Sequence, residues 1–305
     1  MGMDSPGRTC TMAFFHRRVR PLVLPRRLGF DLTLSDPGIA LITFNQPERL
    51  NGMTQDMKRD LCEVLLQTQM DEAVRVVVFT GSGRAFSAGD DISGRPPGSS
   101  GARALVPKVP GGHNDPIGTY EGLRMLSQSV NLAIRNLDKL SIAAINGVAI
   151  QTGLSLALSC DFRIASTEAR MGSGTLRYGL MPDEGGQFLL VQLIGVGRTM
   201  DFLMRNRIVS GDEALALGLV HEVTPPGQLL DRALELARDL ANGPQIAMRL
   251  LKRAVYTAAE STFAHALDDI ATKTAVSDHH PDAREGIRAF QEKRQPRFNQ
   301  ESPNS

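Results

Sequence analysis

Two stretches of the chain place residues where a backbone could do chemistry. The first is "SAGDD", Ser87 to Asp91, which follows the apolar run "VRVVVFTGSGRAF". A small residue, a glycine and two aspartates come directly after a segment that reads as a buried strand and a Gly81/Gly83 loop. The second is "AAINGVAIQTGLSLALSCDFRIAS", Ala143 to Ser166, read as strand, Asn-Gly turn, and a helix rich in Ala, Ser and Leu that starts near Gly153. The first N–H groups of a helix have no partner inside it, and its dipole favours negative charge there. Should the loop at Asp90 and the helix start at Thr152 converge, they would offer two backbone donors to one oxygen atom. That arrangement is an oxyanion hole, which stabilises an enolate or a tetrahedral intermediate. On spacing alone, two tight turns between packed elements is the simpler reading.

Other chemistries are disfavoured. "GSGRAF" lacks the pattern of a phosphate-cradling P-loop, and no Gly-x-Ser-x-Gly marks a hydrolase nucleophile. The six histidines lack metal-ligand spacing, so no metal is expected. The 34 Lys+Arg against 33 Asp+Glu argue against a nucleic-acid-binding body. No apolar stretch reaches the ~18 residues of a membrane span. Three scattered cysteines (Cys10, Cys62, Cys160) fit no disulfide framework and point to a reducing compartment, the cytoplasm.

The elements that must hold these stretches form an α/β pattern over 305 residues, 42% of them hydrophobic. Residues 1–29 form a basic extension, read as a disordered tail; an Arg-rich organelle transit peptide is the alternative. Residues 30–230 read as the α/β core. "FDLTLSDPGIALITFN" gives two strands around an Asp36-Pro37-Gly38 turn. Thr54 is placed to cap a helix with Met57, Leu61, Val64 and Leu65 on one face. A strand follows over Val74–Thr80. Residues 93–118, rich in Gly, Pro and Ser, read as a mobile insertion beside a site. A helix is expected near Tyr120–Leu137, then the strand "SIAAING", the small-residue helix and the strand "DFRIAS". Residues 231–305 read as a helical C-terminal region.

Four motifs in order, "ITFNQPERLNGM", "VVVFTGSGRAFSAGDDI", "AAINGVAIQTGLSLALSCDFRIAS" and "YGLMPDEGG", resemble the crotonase (enoyl-CoA hydratase/isomerase) superfamily. "GLVHEV" and the terminal "FQEKRQPRF" extend the likeness over about Phe30 to Phe298. The resemblance implies a spiral of ββα units, a helical trimerisation region with trimers or hexamers, and an acyl-CoA thioester as ligand, with coenzyme A arriving as part of the substrate and no separate cofactor. It assigns the oxyanion hole to the N–H groups of Asp90 and Thr152. It implies that Ala88, Asp91, Ile92 and Gly153, around those donors, and Ser155 and Thr175 line the substrate and CoA site, with the Asp91 carboxylate in a structural role. Arg49, Leu50 and Arg84 match positions along the CoA path. Lys293 and Phe298 match residues that contact CoA, often from a neighbouring subunit.

The chain departs from the hydratases at the two positions where that family carries glutamates. These fall on Ser155 and Thr175, neither of which can act as a base near neutral pH. One carboxylate remains in a suggestive place: Asp183, after Pro182. Isomerases of the superfamily carry a catalytic acid at this position. Moving a double bond needs one base, which takes a proton from one carbon and returns it to another. Asp183 is read as that base, with Glu184 as its backup; the alternative is that Asp183 caps the following helix. Two other functions compete: a hydratase or lyase using Glu184, Asp115 or Glu121, and a catalytically silent acyl-CoA-binding protein. "LRYGL" and the residues around Phe188 and Leu189 are candidates for the acyl pocket or for core packing.

Overall fold

The computed structural model describes residues 29–91 and 115–300. Its framework is a six-stranded sheet in the order β1 (Phe30–Ser35), β2 (Ile39–Phe44), β3 (Val76–Gly81), β5 (Leu140–Ile145), β7 (Phe162–Ser166) and β10 (Glu222–Thr224). Only β1 and β2 pair antiparallel, through the expected turn at Asp36–Gly38; the other pairings are parallel. Parallel strands covered on both faces read as continuous apolar runs, and β3 (VVVFTG) shows it: Val76 to Thr80 are all buried.

The two faces bury separate cores. One gathers Phe44, Phe79 and Phe86 with α1 (Gln55–Met70) and the helices beyond. On the other, α7 (Leu229–Asn242) lays Leu229, Ala233, Ala237 and Ala241 against Ile39, Val76, Val78, Ile142 and Ile164. The four residues fall at spacings of four, a single helical stripe. This helix spans the junction between the expected core and the helical C-terminal region. It is followed by α8 (Gln245–Ala258), α9 (Phe263–Asp278) and α10 (Pro281–Gln291).

A second sheet of four three-residue strands positions the site. Its order is β4 (Ala85–Ser87), β6 (Val148–Ile150), β8 (Arg170–Gly172) and β9 (Ile208–Ser210). The first three are parallel neighbours, so their carboxyl ends lie along one edge. The segments leaving that edge carry Asp90, Thr152 and Thr175. Ligands of parallel sheets bind outside the carboxyl ends of the strands.

Several boundaries differ from expectation. The strand read at Val74–Thr80 runs Val76–Gly81. The helix expected from Tyr120 starts earlier: α2 (Pro116–Gly122) is capped by Asp115, whose Oδ1 accepts the Gly118 N–H at 2.8 Å. Its first residues therefore lie within the stretch read as insertion. The rest of that insertion, the basic extension and Ile92 lie outside the described residues. After α2, a five-residue π-turn (Leu123–Ser127) leads into α3 (Gln128–Asn136). "GDEALALGLVHEV" holds α6 (Gly211–Leu217) and also strand β10.

Candidate active site

Gly89 and Gly153 bring the two loops together. A methyl carbon built on Gly89 would stand 3.1 Å from Ile150 O, 3.2 Å from Gln151 Cβ and 3.7 Å from Thr152 N. The Gly89 φ of +98° is itself one that side-chain-bearing residues rarely adopt. A methyl on Gly153 would overlap the Ser87 carbonyl. Thus "SAGDD" lies directly against the start of α4 (Thr152–Ser159). Gln151 precedes α4 with φ 49° and ψ −108°, and no side chain caps the helix. Among the described residues, neither the Asp90 N–H nor the Thr152 N–H finds an acceptor in the chain. Spacing alone favoured two separate turns and the family resemblance joined them; the structure places Asp90 and Thr152 side by side.

A second layer fixes the first loop. Met53 donates its N–H to Gly89 O at 2.8 Å and accepts that of Asp91 at 3.1 Å; Ala88 donates to Leu50 O at 2.9 Å. Arg49 pairs with Asp91 at 2.8 Å, both side chains largely buried. Asp91 therefore ties the loop to the segment around Arg49 and Leu50. Asn51, wholly buried, reaches Ala85 O at 2.7 Å and Ser82 O at 3.0 Å through Nδ2, and accepts Gln46 N–H at 2.8 Å. Arg84 is exposed, its carbonyl accepting the Val148 N–H at 3.2 Å.

The side chains at the converged loops form a polar cluster in which Lys58, Thr152 and Glu184 are buried and Asp90 reaches the surface. Thr152 Oγ1 lies 2.6 Å from Asp90 Oδ1 and 2.6 Å from Glu184 Oε1. Lys58, 2% exposed, donates to Asp90 Oδ2 and to Ser127 Oγ, both at 2.8 Å. It also stands 2.7 Å from Asp90 Oδ1 and 3.9 Å from Glu184 Oε1. Gln151 Nε2 donates to Glu184 Oε2 at 2.9 Å and lies 3.4 Å from Asp183 Oδ1. Burial pushes the Glu184 carboxyl up to about 7; Lys58 opposes this, and Asp90 and Asp183 add to it.

Asp183 and Glu184 sit just before α5 (Gly186–Met204). The residue preceding that helix is Gly185, in the left-handed region, and no side chain caps the helix. The alternative of Asp183 as a helix cap is thereby removed. Asp183 is half-buried and Glu184 fully buried. Both line a cavity of about 380 Å³ with Gln128, Leu132, Phe188 and Leu189. Gln128 donates to Asp183 O at 3.0 Å and Asn131 to Glu184 O at 2.8 Å, so α3 holds the pair through its backbone.

Ser155 is buried, its Oγ facing Gly186 of α5. Thr175 Oγ1 lies 3.0 Å from Ser173 Oγ, which donates to Gln151 Oε1 at 2.9 Å. Both positions therefore adjoin the Glu184 cluster without a carboxylate. Asp115 caps α2 and Glu121 is exposed on the same helix. Lys293 and Phe298 lie beyond α10, where Phe298 packs beside Gly286; among the described residues no bond joins either to the cluster. Among the described residues there is no group of three His, Cys, Asp or Glu able to hold a metal, and no helix long and apolar enough to cross a membrane.

Lys58, Ser127 and Gln151 were not singled out in the sequence. Lys58 sits between core residues of α1, and Asp90, its partner, is 32 positions away. The π-turn was the usable signal for Ser127 only once the structure showed it; such turns cluster at functional sites.

Comparison with known proteins agrees with this architecture. The model of the enoyl-CoA hydratase/isomerase family matches residues 35–108 and 111–301. The chain belongs to that family, within the crotonase superfamily. It is 33% identical over 275 residues to the 1,2-epoxyphenylacetyl-CoA isomerase of Escherichia coli, covering 89% of this chain and 98% of that protein. It is 32% identical over 220 residues to a short-chain-enoyl-CoA hydratase of Clostridium acetobutylicum, covering 71% and 77%. Among solved structures, DspI of Pseudomonas aeruginosa superposes with a TM-score of 0.80 at 30% identity, over 92% of this chain and 100% of that one.

Proposed function

We propose that the protein shifts a double bond in an unsaturated acyl-CoA, with Asp183 as the base and the N–H groups of Asp90 and Thr152 as the oxyanion hole. The observation that carries this reading is the placement of Asp183. It lines the cavity beside Glu184, whose Oε1 lies 2.6 Å from Thr152 Oγ1, whereas Ser155 and Thr175 carry no carboxylate. Glu184 is the less available base because it is buried with each oxygen engaged, one at Thr152 and the other at Gln151. Asp183 takes a proton from one carbon, the thioester oxygen carries the resulting negative charge in the hole, and Asp183 returns the proton to another carbon. Leu132, Phe188 and Leu189 form the apolar wall for the acyl chain. The relative named as an isomerase supports this class of reaction.

Self-association as a trimer or hexamer belongs to the same proposal. Val255, Phe263, Leu267, Ile287 and Phe290, on α8 to α10, are exposed apolar residues that a partner subunit would cover.

The test is turnover of trans-3-enoyl-CoA and trans-2-enoyl-CoA of several chain lengths, followed by mass and absorbance. Conversion of the 3-enoyl to the 2-enoyl thioester is expected, and Asp183→Asn is expected to lower kcat by ~10²–10⁴-fold. Hydration of the 2-enoyl thioester that survives Asp183→Asn overturns the assignment of the base. Tight acyl-CoA binding with no turnover of any supplied thioester overturns the isomerase reading in favour of a silent binder.

A further inference from the structure

Three carboxylates surround the N–H groups proposed to hold an oxyanion: Asp90, Asp183 and Glu184. Three negative charges there would oppose the charge the hole has to stabilise. Two features of the cluster address this.

The first is a hydrogen count. A threonine hydroxyl has one hydrogen to donate. Thr152 Oγ1 is nevertheless 2.6 Å from an oxygen of Asp90 and 2.6 Å from an oxygen of Glu184, the separation of charge-assisted O–H···O bonds. Two such contacts need two hydrogens, so one carboxyl supplies its own. Asp90 has both oxygens within 2.8 Å of the Lys58 ammonium, so each already faces a donor. Glu184 Oε2 already accepts from Gln151. The extra hydrogen therefore sits on Glu184 Oε1 and points to Thr152 Oγ1, whose own hydrogen goes to Asp90. The second feature is Lys58 itself, a buried cation with Asp90, Ser127 and, at 3.9 Å, Glu184 around it.

We infer that Lys58, together with one proton held between Glu184 and Thr152, offsets the negative charge of Asp90 and Glu184 beside the proposed hole. Lys58 is thus a positioning residue: it touches no substrate and acts through Asp90 and Thr152. The groups that face Glu184 are Lys58 from α1, Asp90 from the loop after β4, Gln151 and Thr152 at the start of α4, Asn131 from α3, and Asp183 beside it. Burial, which pushes the Glu184 carboxyl to about 7, acts in the same direction as the hydrogen count. The inference rests on the oxyanion-hole reading above for its purpose, but not for its measurement.

The experiment is a carboxyl-carbon NMR titration of the full-length, substrate-free protein, with the Glu184 signal assigned by its loss in Glu184→Gln. Wild type is expected to titrate near 7. Lys58→Met removes the cation and moves the midpoint up by about 1–3 units. Asp90→Asn removes the anion, leaves Lys58 facing Glu184, and moves the midpoint down. Lys58→Arg keeps the charge and keeps the midpoint near wild type. A wild-type midpoint near the ordinary 4.5, or Lys58→Met and Asp90→Asn shifts of the same sign, overturns the inference. If Lys58→Met does not fold, the wild-type midpoint and the direction of the Asp90→Asn shift still decide. In turnover, the alkaline limb of kcat is expected to follow the same midpoints with KM little changed. A purely structural role for Lys58 would lower thermal stability without moving that limb. Opposite NMR shifts in a protein that isomerises nothing would overturn the proposed function and leave this inference standing.

Discussion

The starts of α4 and α6 are built from the same kind of backbone and finished differently. At α6, Ser210 Oγ accepts the Glu213 N–H at 3.2 Å, and Glu213 Oε2 accepts the Ser210 N–H at 2.9 Å. This is a complete capping box. At α4, no side chain turns back onto the helix, and the preceding Gln151 sits at φ 49°. Its amide instead spans Ser173, Glu184 and, at longer range, Asp183. The polar groups of α6 are satisfied within one turn of chain. Those of α4 are satisfied by residues from three other segments, and among the described residues the Thr152 N–H finds no acceptor. The glutamates follow the same division. A backbone bond from Ser210 holds the exposed Glu213 carboxyl below its ordinary range, while burial holds that of Glu184 above it. A helix start that closes on itself stabilises the fold, and one that stays open is available for chemistry.

The sharpest way to break this contrast is Gly153→Ala. In a helix interior this change ordinarily stabilises, by up to ~1 kcal/mol. Here the new methyl would overlap Ser87 O, a backbone atom, so one of the two loops must move. Turnover is expected to fall by ~10²-fold, the usual result of misplacing reacting groups by about an ångström, while the circular dichroism spectrum stays that of the wild type. Unchanged kcat would show that the loop contact does not set the site.

A smaller effect comes from the pH dependence of stability. The Glu184 carboxyl is raised in the folded chain, so the native state binds more protons than the unfolded state between about 4.5 and about 7. Its contribution is present in full below 4.5 and lost as pH rises through 7, for a total of roughly 3 kcal/mol. In denaturant titrations across that window, wild type should lose roughly 3 kcal/mol relative to Glu184→Gln as pH rises. Parallel curves would mean Glu184 titrates alike in both states. Glu213 runs the other way, its contribution being present above the ordinary glutamate range and lost as pH falls.

The smallest effect is at α6. Ser210→Ala removes the cap and is expected to cost ~1 kcal/mol of stability in a denaturant melt, with kcat unchanged. A loss of turnover there would erase the distinction between the two helix starts.

The large elements were legible because each is written locally. The valine run of β3, the spacing of Leu229, Ala233, Ala237 and Ala241 in α7, and the Thr54 cap, whose Oγ1 accepts the Met57 N–H at 3.2 Å, depend on neighbours in sequence. The loops at Asp90 and Thr152 were legible through the family's motifs. The cluster between them was not. Lys58 lies one residue from the apolar face marked by Met57, and in α1 burial extends past that face to Lys58, Asp60 and Glu63. Periodicity assigns such residues to solvent, and only the return of the chain at Asp90 and Ser127 shows otherwise. Strand β10 was missed for a related reason: three residues are too short to carry an alternating pattern, and they pair because β7 offers them an edge.

A donor that belongs to the main chain makes no demand on the side chain attached to it. At Asp90 and Thr152 the peptide N–H is the donor of the proposed hole, and the carboxylate and the hydroxyl are left over for a second task, the wiring to Lys58 and Glu184. Each of these two positions thus has two outputs that can vary separately. Replacing the side chain at either one resets the protonation of the pocket and keeps the amide in place. On the proposed reading, the same scaffold is moved from one acid–base regime to another by single substitutions, without rebuilding the two backbone donors.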